Sequence, residues 1–277
     1  MITGLAVLTA AGVIWAAEAP KMKMTTEVPE GIATPDKLET RIGVLTSVDG
    51  VPDKKTVETI YDNLDFHRGL DAFLSGIQIA SMSAIRRGCL AEGPPNTTVQ
   101  IFENLMDSKA YWLTPNATSI YNVAWLELKD EPMVIETPPD VLGIIDDHWF
   151  KYVGDFGRLG PDKGKGGKFL VLPPGYEGNV PEGYHVMRTS TFGNWVIWRG
   201  FQVDGSTKTA VDATKKSFRI YPLSQKDNPP KMNFVNMSGK FSNTTHRMDF
   251  EIFDEINEVV QAEPSAGQNP EILGIFA

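Results

Sequence analysis

Between Ser119 and Val203 the chain alternates apolar and polar residues in short runs that Gly and Pro clusters interrupt. A two-residue period is typical of β-strands, because successive side chains point to opposite faces of a sheet. Within Ser119–Leu128 both faces are largely apolar, as expected of a strand inside a sandwich. The pattern predicts an α+β, mainly β fold, a jelly-roll-like antiparallel β sandwich with N-terminal and C-terminal flanking helices. Further strands are predicted at Met133–Glu136, Gly143–Val153, Lys168–Leu172, Gly183–Ser190, Asn194–Val203 and Phe218–Leu223.

Helical periodicity precedes the strands. Thr56 is placed to cap a short helix, and a second, longer helix is predicted from Asp65 to Arg87 because apolar residues recur there at three- and four-residue spacing. Gly88 is expected to end it. A helical turn at Asn104–Lys109 and a helix at Thr207–Ser217 are also predicted.

A last helix is predicted at about 249–262, with an apolar stripe along one side. We expect its residues Phe250, Phe253 and Ile256 to be buried against the β body or another protomer, because such a stripe needs a cover.

The N-terminus indicates export. Residues from Ile2 to Ala17 are apolar and small, and Ala17-Glu18-Ala19 fits an A-x-A cleavage site, although no basic residue precedes Lys21. We predict a signal peptide or N-terminal anchor at 1–19 and a periplasmic or secreted protein without membrane insertion after signal removal. The remaining regions are predicted as an extended arm at 20–53, helices plus a β-sandwich domain at 54–225, and a connector with a C-terminal helix at 226–277.

Composition excludes several classes of function. The 26 basic and 35 acidic residues give a net charge of −9, which disfavours nucleic-acid binding. The single cysteine, Cys89, rules out a disulfide within the chain and a metal site built on several thiolates. Arg86 and Arg87 could lower the pKa of Cys89, but an apolar thiol near a helix end is the simpler interpretation.

Common catalytic motifs are absent from the sequence. The Gly/Lys-rich stretch 160–168 lacks the glycine spacing of a phosphate loop, and neither G-x-S-x-G nor S-x-x-K occurs. His148 and His185 both fall on predicted strands and could form a three-ligand metal site with Asp146 or Asp147. A histidine in the core or at its rim is the default interpretation, so no metal and no cofactor is expected.

A polar and aromatic set within the β region is the better lead. Asp147 and Trp149 are two residues apart on a predicted strand and should point the same way. Arginine forks bind carboxylate and hydroxyl oxygens, and aromatic faces stack on sugar rings. The alternative is that these side chains close the barrel mouth by hydrogen bonding and packing. The candidate ligand-binding residues are Asn116, Tyr121, Asp147, Trp149, Arg188 and Arg199.

Several ordered motifs resemble a known family. Tyr61–Gly76, Thr114–Tyr121, Asp147-His148-Trp149 and Gly160–Tyr176 occur in its order, followed by Pro181–Tyr184, Arg199–Phe201 and Tyr221–Leu223. Over about Thr56 to Leu223 the chain is similar to the twelve-fifty-four domain-of-unknown-function family, found mostly in exported bacterial proteins.

This resemblance implies a jelly-roll-like β sandwich with flanking helices, usually followed by a second β domain, and assembly into multimers. By comparison with that family, the chain resembles a member without the second domain. The family's Thr-Pro-Asn motif usually continues with an Asp two residues on, where this chain has Thr118. The resemblance implies no particular activity.

Three hypotheses about function follow. The first is an envelope protein that binds a polar small molecule or glycan, which predicts an exposed aromatic floor at Trp149 or Trp195 beside polar groups. The second is a hydrolase or lyase in which Asp147, His148 and Arg188 meet in a cleft, with a raised carboxyl pKa. The third is a structural assembly module with neither feature. A homo-oligomer is expected.

Overall fold

A computed structural model describes residues 29, 31–32 and 34–276. The predicted signal peptide at 1–19 and the start of the predicted arm, 20–28, lie outside the described residues. The fold is mixed α+β, as predicted, and the chain divides into two compact units, residues 1–64 and 65–277. In the described part of the chain, no helix is long and apolar enough to cross a membrane.

The first unit contains a small antiparallel sheet of β1 (Lys37–Thr40), β2 (Gly43–Val48) and β3 (Val51–Pro52). Asp49 and Gly50 both have positive φ, at 50° and 80°, and form the two-residue hairpin turn that joins β2 to β3. Helix α1 (Lys54–Leu90) follows at once.

Helix α1 is one helix of 37 residues, so the prediction of two separate helices was wrong. No Gly or Pro interrupts the polar stretch around residue 62, and the helix therefore continues through it. The cap also differs from the prediction. Asp53 Oδ1 accepts the backbone N–H of Thr56 at 2.7 Å, which places Asp53 at the N-cap and Thr56 within the first turn.

The second unit is built around two larger sheets. One has six strands in the order β14-β4-β6-β12-β8-β9, and the other has four in the order β11-β10-β7-β13. A two-stranded ladder joins β15 to β5. The strands are β4 (Thr98–Ile101), β5 (Ala110–Tyr111), β6 (Ile120–Glu127), β7 (Met133–Glu136), β8 (Leu142–Asp147), β9 (Tyr152–Gly157), β10 (Lys168–Leu172), β11 (His185–Arg188), β12 (Gly193–Gly200), β13 (Arg219–Pro222), β14 (Asn233–Asn236) and β15 (Ser242–Asn243).

The sheets are not purely antiparallel, contrary to the prediction. Strand β11 pairs parallel with β10, because the Pro- and Gly-rich loop at 173–184 returns the chain to the starting end of β10. Strand β14 pairs parallel with β4 and β15 with β5. Both β14 and β15 lie in the stretch at 226–243 for which no strand was predicted.

The predicted strand 143–153 is in fact two strands, β8 and β9, joined by a tight turn. Phe150 adopts a positive φ of 63° in this turn. Asp147 Oδ1 accepts the backbone N–H groups of Trp149 and Lys151 at 2.9 and 2.8 Å, which holds the turn closed. A similar departure occurs at 104–109, where Leu105 has a φ of 72° and the predicted helical turn is absent.

Strand β6 is buried on both faces, as its alternation predicted. Ile120, Ala124 and Leu126 belong to an apolar core that also contains Ile135 of β7 and Phe169 of β10, so the six- and four-stranded sheets share this core. The opposite face of β6 packs with the C-terminal half of α1 through Tyr121, Val123, Trp125, Met82, Ile85 and Cys89.

Three further helices follow in the chain. Helix α2 (Lys208–Ser217) matches its prediction closely, while α3 (Ile252–Ala262) begins three residues later than predicted and α4 (Pro270–Phe276) was not predicted. Ile256 is buried with Ile79 and Ala80 of α1, which confirms its predicted burial. Phe253 is partly buried and packs against the same cluster. Phe250 is 87% exposed within this chain, and its burial against another protomer stays a prediction.

Candidate functional site

A cavity of about 460 Å³ opens on the face of the six-stranded sheet that also contacts α1. Strands β12, β8 and β9 form its floor, and the loop before β6 contributes one wall. Because side chains alternate along a strand, Ile144 and Asp146 of β8 face the cavity while Ile145 faces the core. We call this space the β-face cavity. Its lining includes Leu113, Thr114, Tyr121, Ile144, Asp146, Phe150, Asp155, Trp195, Ile197 and Arg199.

Asp146 is an acid of the β-face cavity whose pKa is shifted from its usual value. Asp146 is only 8% exposed. Among residues 34–276 its carboxylate has no hydrogen-bond or ion-pair partner. Burial, together with the nearby carboxylates of Asp147 and Asp155, raises the pKa of Asp146 to about 6. The carboxylate lines the cavity and receives no hydrogen bond from the described residues, so its oxygen atoms are available to accept hydrogen bonds from a ligand.

Asp155 adds a second carboxylate from the neighbouring strand β9. It lies opposite Ile144 in the β8–β9 ladder and accepts the hydroxyl of Tyr152 at 3.0 Å. The floor of the β-face cavity is therefore acidic at the β8–β9 end.

Arg199 provides charge of the opposite sign on β12. Its guanidinium lies 6.0 Å from the centre of the Tyr121 ring, and within the described ranges it forms no hydrogen bond or ion pair. Its forked N–H donors therefore remain available to oxygen atoms of a ligand.

Asn116 supports Tyr121 from the loop that precedes β6. Its Nδ2 donates to the Tyr121 hydroxyl at 3.1 Å. Its Oδ1 accepts from the backbone N–H and the hydroxyl of both Thr118 and Ser119, at 2.9–3.1 Å. Asn116 therefore orders the loop and orients Tyr121 without lining the cavity, and Thr118 completes this turn through its own hydroxyl.

Aromatic residues form the inner wall of the β-face cavity. Trp195 stacks on Trp112 with ring centres 6.5 Å apart, and Phe150 meets Trp195 edge to face at 6.3 Å. Trp195 is buried, so the wall presents mainly Phe150 and the edge of Trp195 rather than the open aromatic floor that was predicted.

The six predicted ligand-binding residues are only partly brought together. Tyr121 and Arg199 line the β-face cavity, and Asn116 lies next to it. Arg188 is exposed on the edge strand β11 and donates to the carbonyl oxygen of Tyr176 at 3.3 Å. It therefore lies apart from the cavity residues.

Asp147 and Trp149 do not share an open face, contrary to the prediction. Asp147 is buried and accepts the Ser190 hydroxyl as well as the turn N–H groups of Trp149 and Lys151. Trp149 packs instead with α1 and α3. The prediction failed because residues 148–151 form a turn, in which the two-residue alternation of a strand no longer applies.

His148 is buried beside Glu263, with its Nδ1 atom 2.7 Å from Glu263 Oε1. The other predicted metal ligand, His185, lies against the Phe169 ring with ring centres 5.0 Å apart. The two histidines thus have different partners. In the described part of the chain, no group of three or more His, Cys, Asp or Glu side chains could hold a metal ion.

Sequence reasoning missed the two acids of the β-face cavity as a pair. Asp146 was considered as a candidate metal ligand, and Asp155 was not considered. Their common face would have followed from recognising the turn at 148–151, since β9 then returns antiparallel beside β8.

Comparison with known proteins gives one family match and a similar solved structure. Residues 96–222 match the family described as "Protein of unknown function (DUF1254)". The crystal structure of the VPA0106 protein from Vibrio parahaemolyticus is similar at 20% sequence identity, over 74% of this chain and 54% of that protein, with a TM-score of 0.45. The present chain thus spans about half the length of that solved protein. No curated protein matches the sequence.

Proposed function

Residues 96–222 of this chain belong to the DUF1254 family, whose description assigns no activity, and we propose from the site geometry that the protein binds a polar small molecule or glycan in the β-face cavity. The observation that carries this proposal is the Asp146 carboxylate, which is buried at the cavity without a partner among residues 34–276.

Ligand binding accounts for this arrangement in energetic terms. Asp146 can accept hydrogen bonds and the half-buried Arg199 can donate them, and neither has a hydrogen-bond partner among the described residues. A ligand that donates to Asp146 and accepts from Arg199 would form charge-assisted hydrogen bonds at both ends of the cavity. The volume of about 460 Å³ falls within the range of small-molecule sites, and Tyr121 and Phe150 supply an apolar surface for the ligand body.

The hydrolase or lyase hypothesis has less support. Asp147 and His148 have buried structural partners, and Arg188 is exposed on β11. None of these three residues lines the β-face cavity.

A jelly-roll-like β sandwich is the finer fold that we propose for the second unit. The apolar core shared by the six- and four-stranded sheets supports it. The apolar stretch from Ile2 to Ala17 supports export to the cell envelope, and N-terminal sequencing of the mature protein tests this proposal.

Self-association is a second candidate function, favoured by an exposed apolar surface. Leu70, Leu74 and Ile77 on α1 follow the four- and three-residue spacing of a helix–helix seam. Leu70 and Ile77 line a groove of about 820 Å³ that is mostly apolar and ends at the loop before α3, and Leu74 is exposed on the same helix. We call these side chains the α1 seam: Phe66, Leu70, Leu74, Ile77, Met248 and Phe250, all of them exposed.

The size of the α1 seam fits a second copy of this chain. With ~200 Å² for a fully exposed large side chain, the six residues expose roughly 700 Å². A standard interface buries ~800 Å² on each partner, so a two-fold pairing that covered the whole seam would come close to that size.

Ligand binding can be tested by a thermal-shift screen of sugars and small organic acids with the whole chain. A ligand of the β-face cavity should raise the melting temperature of the wild type and lose most of that effect in Arg199→Gln and Asp146→Asn. Asp130→Asn, an exposed carboxylate outside the cavity lining, is the control and should keep the full shift. A ligand effect that persists in both cavity variants, or the absence of any effect, would contradict the proposal.

A further inference from the structure

We propose that the ligand of the β-face cavity is a zwitterion that carries an ammonium group and a carboxylate, as an amino acid does. This inference rests on the proposed binding function and narrows it to one chemical class. Its basis is the separation of unpaired charges of opposite sign on a single sheet face.

The strand register places these charges at different ends of the cavity. Asp146 lies opposite Trp195, whereas Arg199 lies four residues further along the same strand β12. With ~3.4 Å per residue and ~4.8 Å between strands, the Cα atoms of Asp146 and Arg199 are about 14 Å apart. The same geometry places Asp155 about 12 Å from Arg199.

Arg199 does not form an ion pair with Asp146 across this distance. Side chains on one sheet face stand roughly perpendicular to the sheet, so the two charged groups remain apart instead of reaching toward each other. Within the described residues neither group has another ion-pair partner. The cavity therefore has unpaired groups of opposite charge toward its two ends, and a molecule with two oppositely charged ends matches both of them.

An ammonium group suits the acidic end of the cavity. It can donate up to three hydrogen bonds and would lie between the carboxylates of Asp146 and Asp155, near the Phe150 ring. A carboxylate suits the other end, where the Arg199 fork can bind both of its oxygen atoms. A neutral sugar would fill the volume and form hydrogen bonds, but it would leave both charges of the protein uncompensated.

The proposal also predicts a dependence on pH. The groups around the ammonium position are Asp146 and Asp147 of β8, Asp155 and Tyr152 of β9 and Arg199 of β12. Since the pKa of Asp146 is raised to about 6, this carboxylate becomes ionised between pH 5 and pH 7. Affinity for a zwitterion should rise over that interval, whereas affinity for a simple carboxylate should not rise.

Titration calorimetry on the whole chain with a matched set of probes tests this inference. The probes are the ω-amino acids of three to six carbons, the carboxylic acids and the amines of the same lengths, and glucose. We expect at least one ω-amino acid to bind ten or more times tighter at pH 7.5 than the acid and the amine of equal length.

Two variants test which protein residue binds each charged group of the ligand. Asp146→Asn should weaken binding of the amino acid about tenfold or more and abolish its rise between pH 5 and pH 7, while binding of the simple acid is unchanged. Arg199→Gln should weaken both the amino acid and the acid, and Arg199→Lys, which keeps the charge but not the fork, should restore part of that affinity.

The outcomes separate this inference from the proposed function. If glucose or a simple acid binds as tightly as every ω-amino acid and loses affinity in Arg199→Gln, the cavity is a binding site but the zwitterion inference is wrong. If no probe of any class binds, both proposals are contradicted.

Discussion

The Nδ1 atom of His148 lies 2.7 Å from the Oε1 atom of Glu263, and both side chains are less than a tenth exposed. The same carboxylate accepts the backbone N–H groups of Phe192 and Gly193 at 2.6 and 3.0 Å. Glu263 follows α3 directly, so this one group ties the end of that helix to the turn before β12 and to the turn after β8.

Removing this carboxylate should strongly destabilise the second unit. In Glu263→Ala the ring of His148 and two backbone N–H groups lose their acceptor in a buried site, at a cost of about 3 kcal/mol in the free energy of unfolding. Chemical denaturation with urea measures the change.

Glu258→Ala is the matched control, because Glu258 is an exposed residue of α3, the helix that Glu263 follows. It should change the free energy of unfolding by less than about 0.5 kcal/mol. Equal effects of the two substitutions would show that the Glu263 contacts contribute nothing beyond the loss of a surface charge.

The raised pKa of Asp146 predicts a pH dependence of stability. Because the folded state binds the proton more tightly than the unfolded chain, the folded state gains relative stability at low pH. That gain is complete below about pH 4 and is lost as the pH rises through about 6. Asp146→Asn should abolish this loss and make the variant more stable than the wild type at pH 7.5, by about 2 kcal/mol.

Urea denaturation at half-unit steps from pH 4 to pH 8 checks the sign of this change in stability with pH. Asp130→Asn should keep the wild-type profile, since Asp130 is exposed and lies outside the cavity lining. A variant Asp146→Asn that is less stable than the wild type at pH 7.5 would mean that the carboxylate is held by a favourable interaction in the folded state.

The local sequence pattern predicted many of the strands correctly. It failed where contacts between distant parts of the chain determine the structure. The limits of β7 and β10 match their predictions, because alternation and flanking turn residues mark both ends. The parallel pairing of β14 with β4 has no local signal, since the two strands are more than 130 residues apart.

The candidate site was only half predictable for a related reason. Tyr121 and Arg199 were identified as polar or aromatic groups on strands, and both line the β-face cavity. Choosing between Asp146 and Asp147 required knowing which face of β8 meets the core, and the positive φ of Phe150 shows that the strand ends before Trp149. Apart from the Asp-His-Trp-Phe run itself, the local sequence contains no signal of that turn.

Cys89 should be unreactive in the folded protein. It is buried in the cluster between α1 and the six-stranded sheet, and burial raises the pKa of its thiol, so the arginines at 86 and 87 do not activate it. Labelling with a thiol reagent at pH 8 should be slow in buffer and complete within minutes in 6 M urea. Rapid labelling of the native chain would place Cys89 at the surface.

The α1 seam predicts a dimer that a single charge can break. Leu74→Glu should shift the equilibrium toward the monomer by at least tenfold in the dissociation constant, because a buried carboxylate without a partner is costly at an interface. Sedimentation velocity over a range of protein concentrations measures the change. Thr209→Glu adds the same charge at an exposed position of α2 and should leave the association unchanged. If the wild type is a monomer at every concentration, or if both variants remain dimers, the seam is not the interface between copies of this chain.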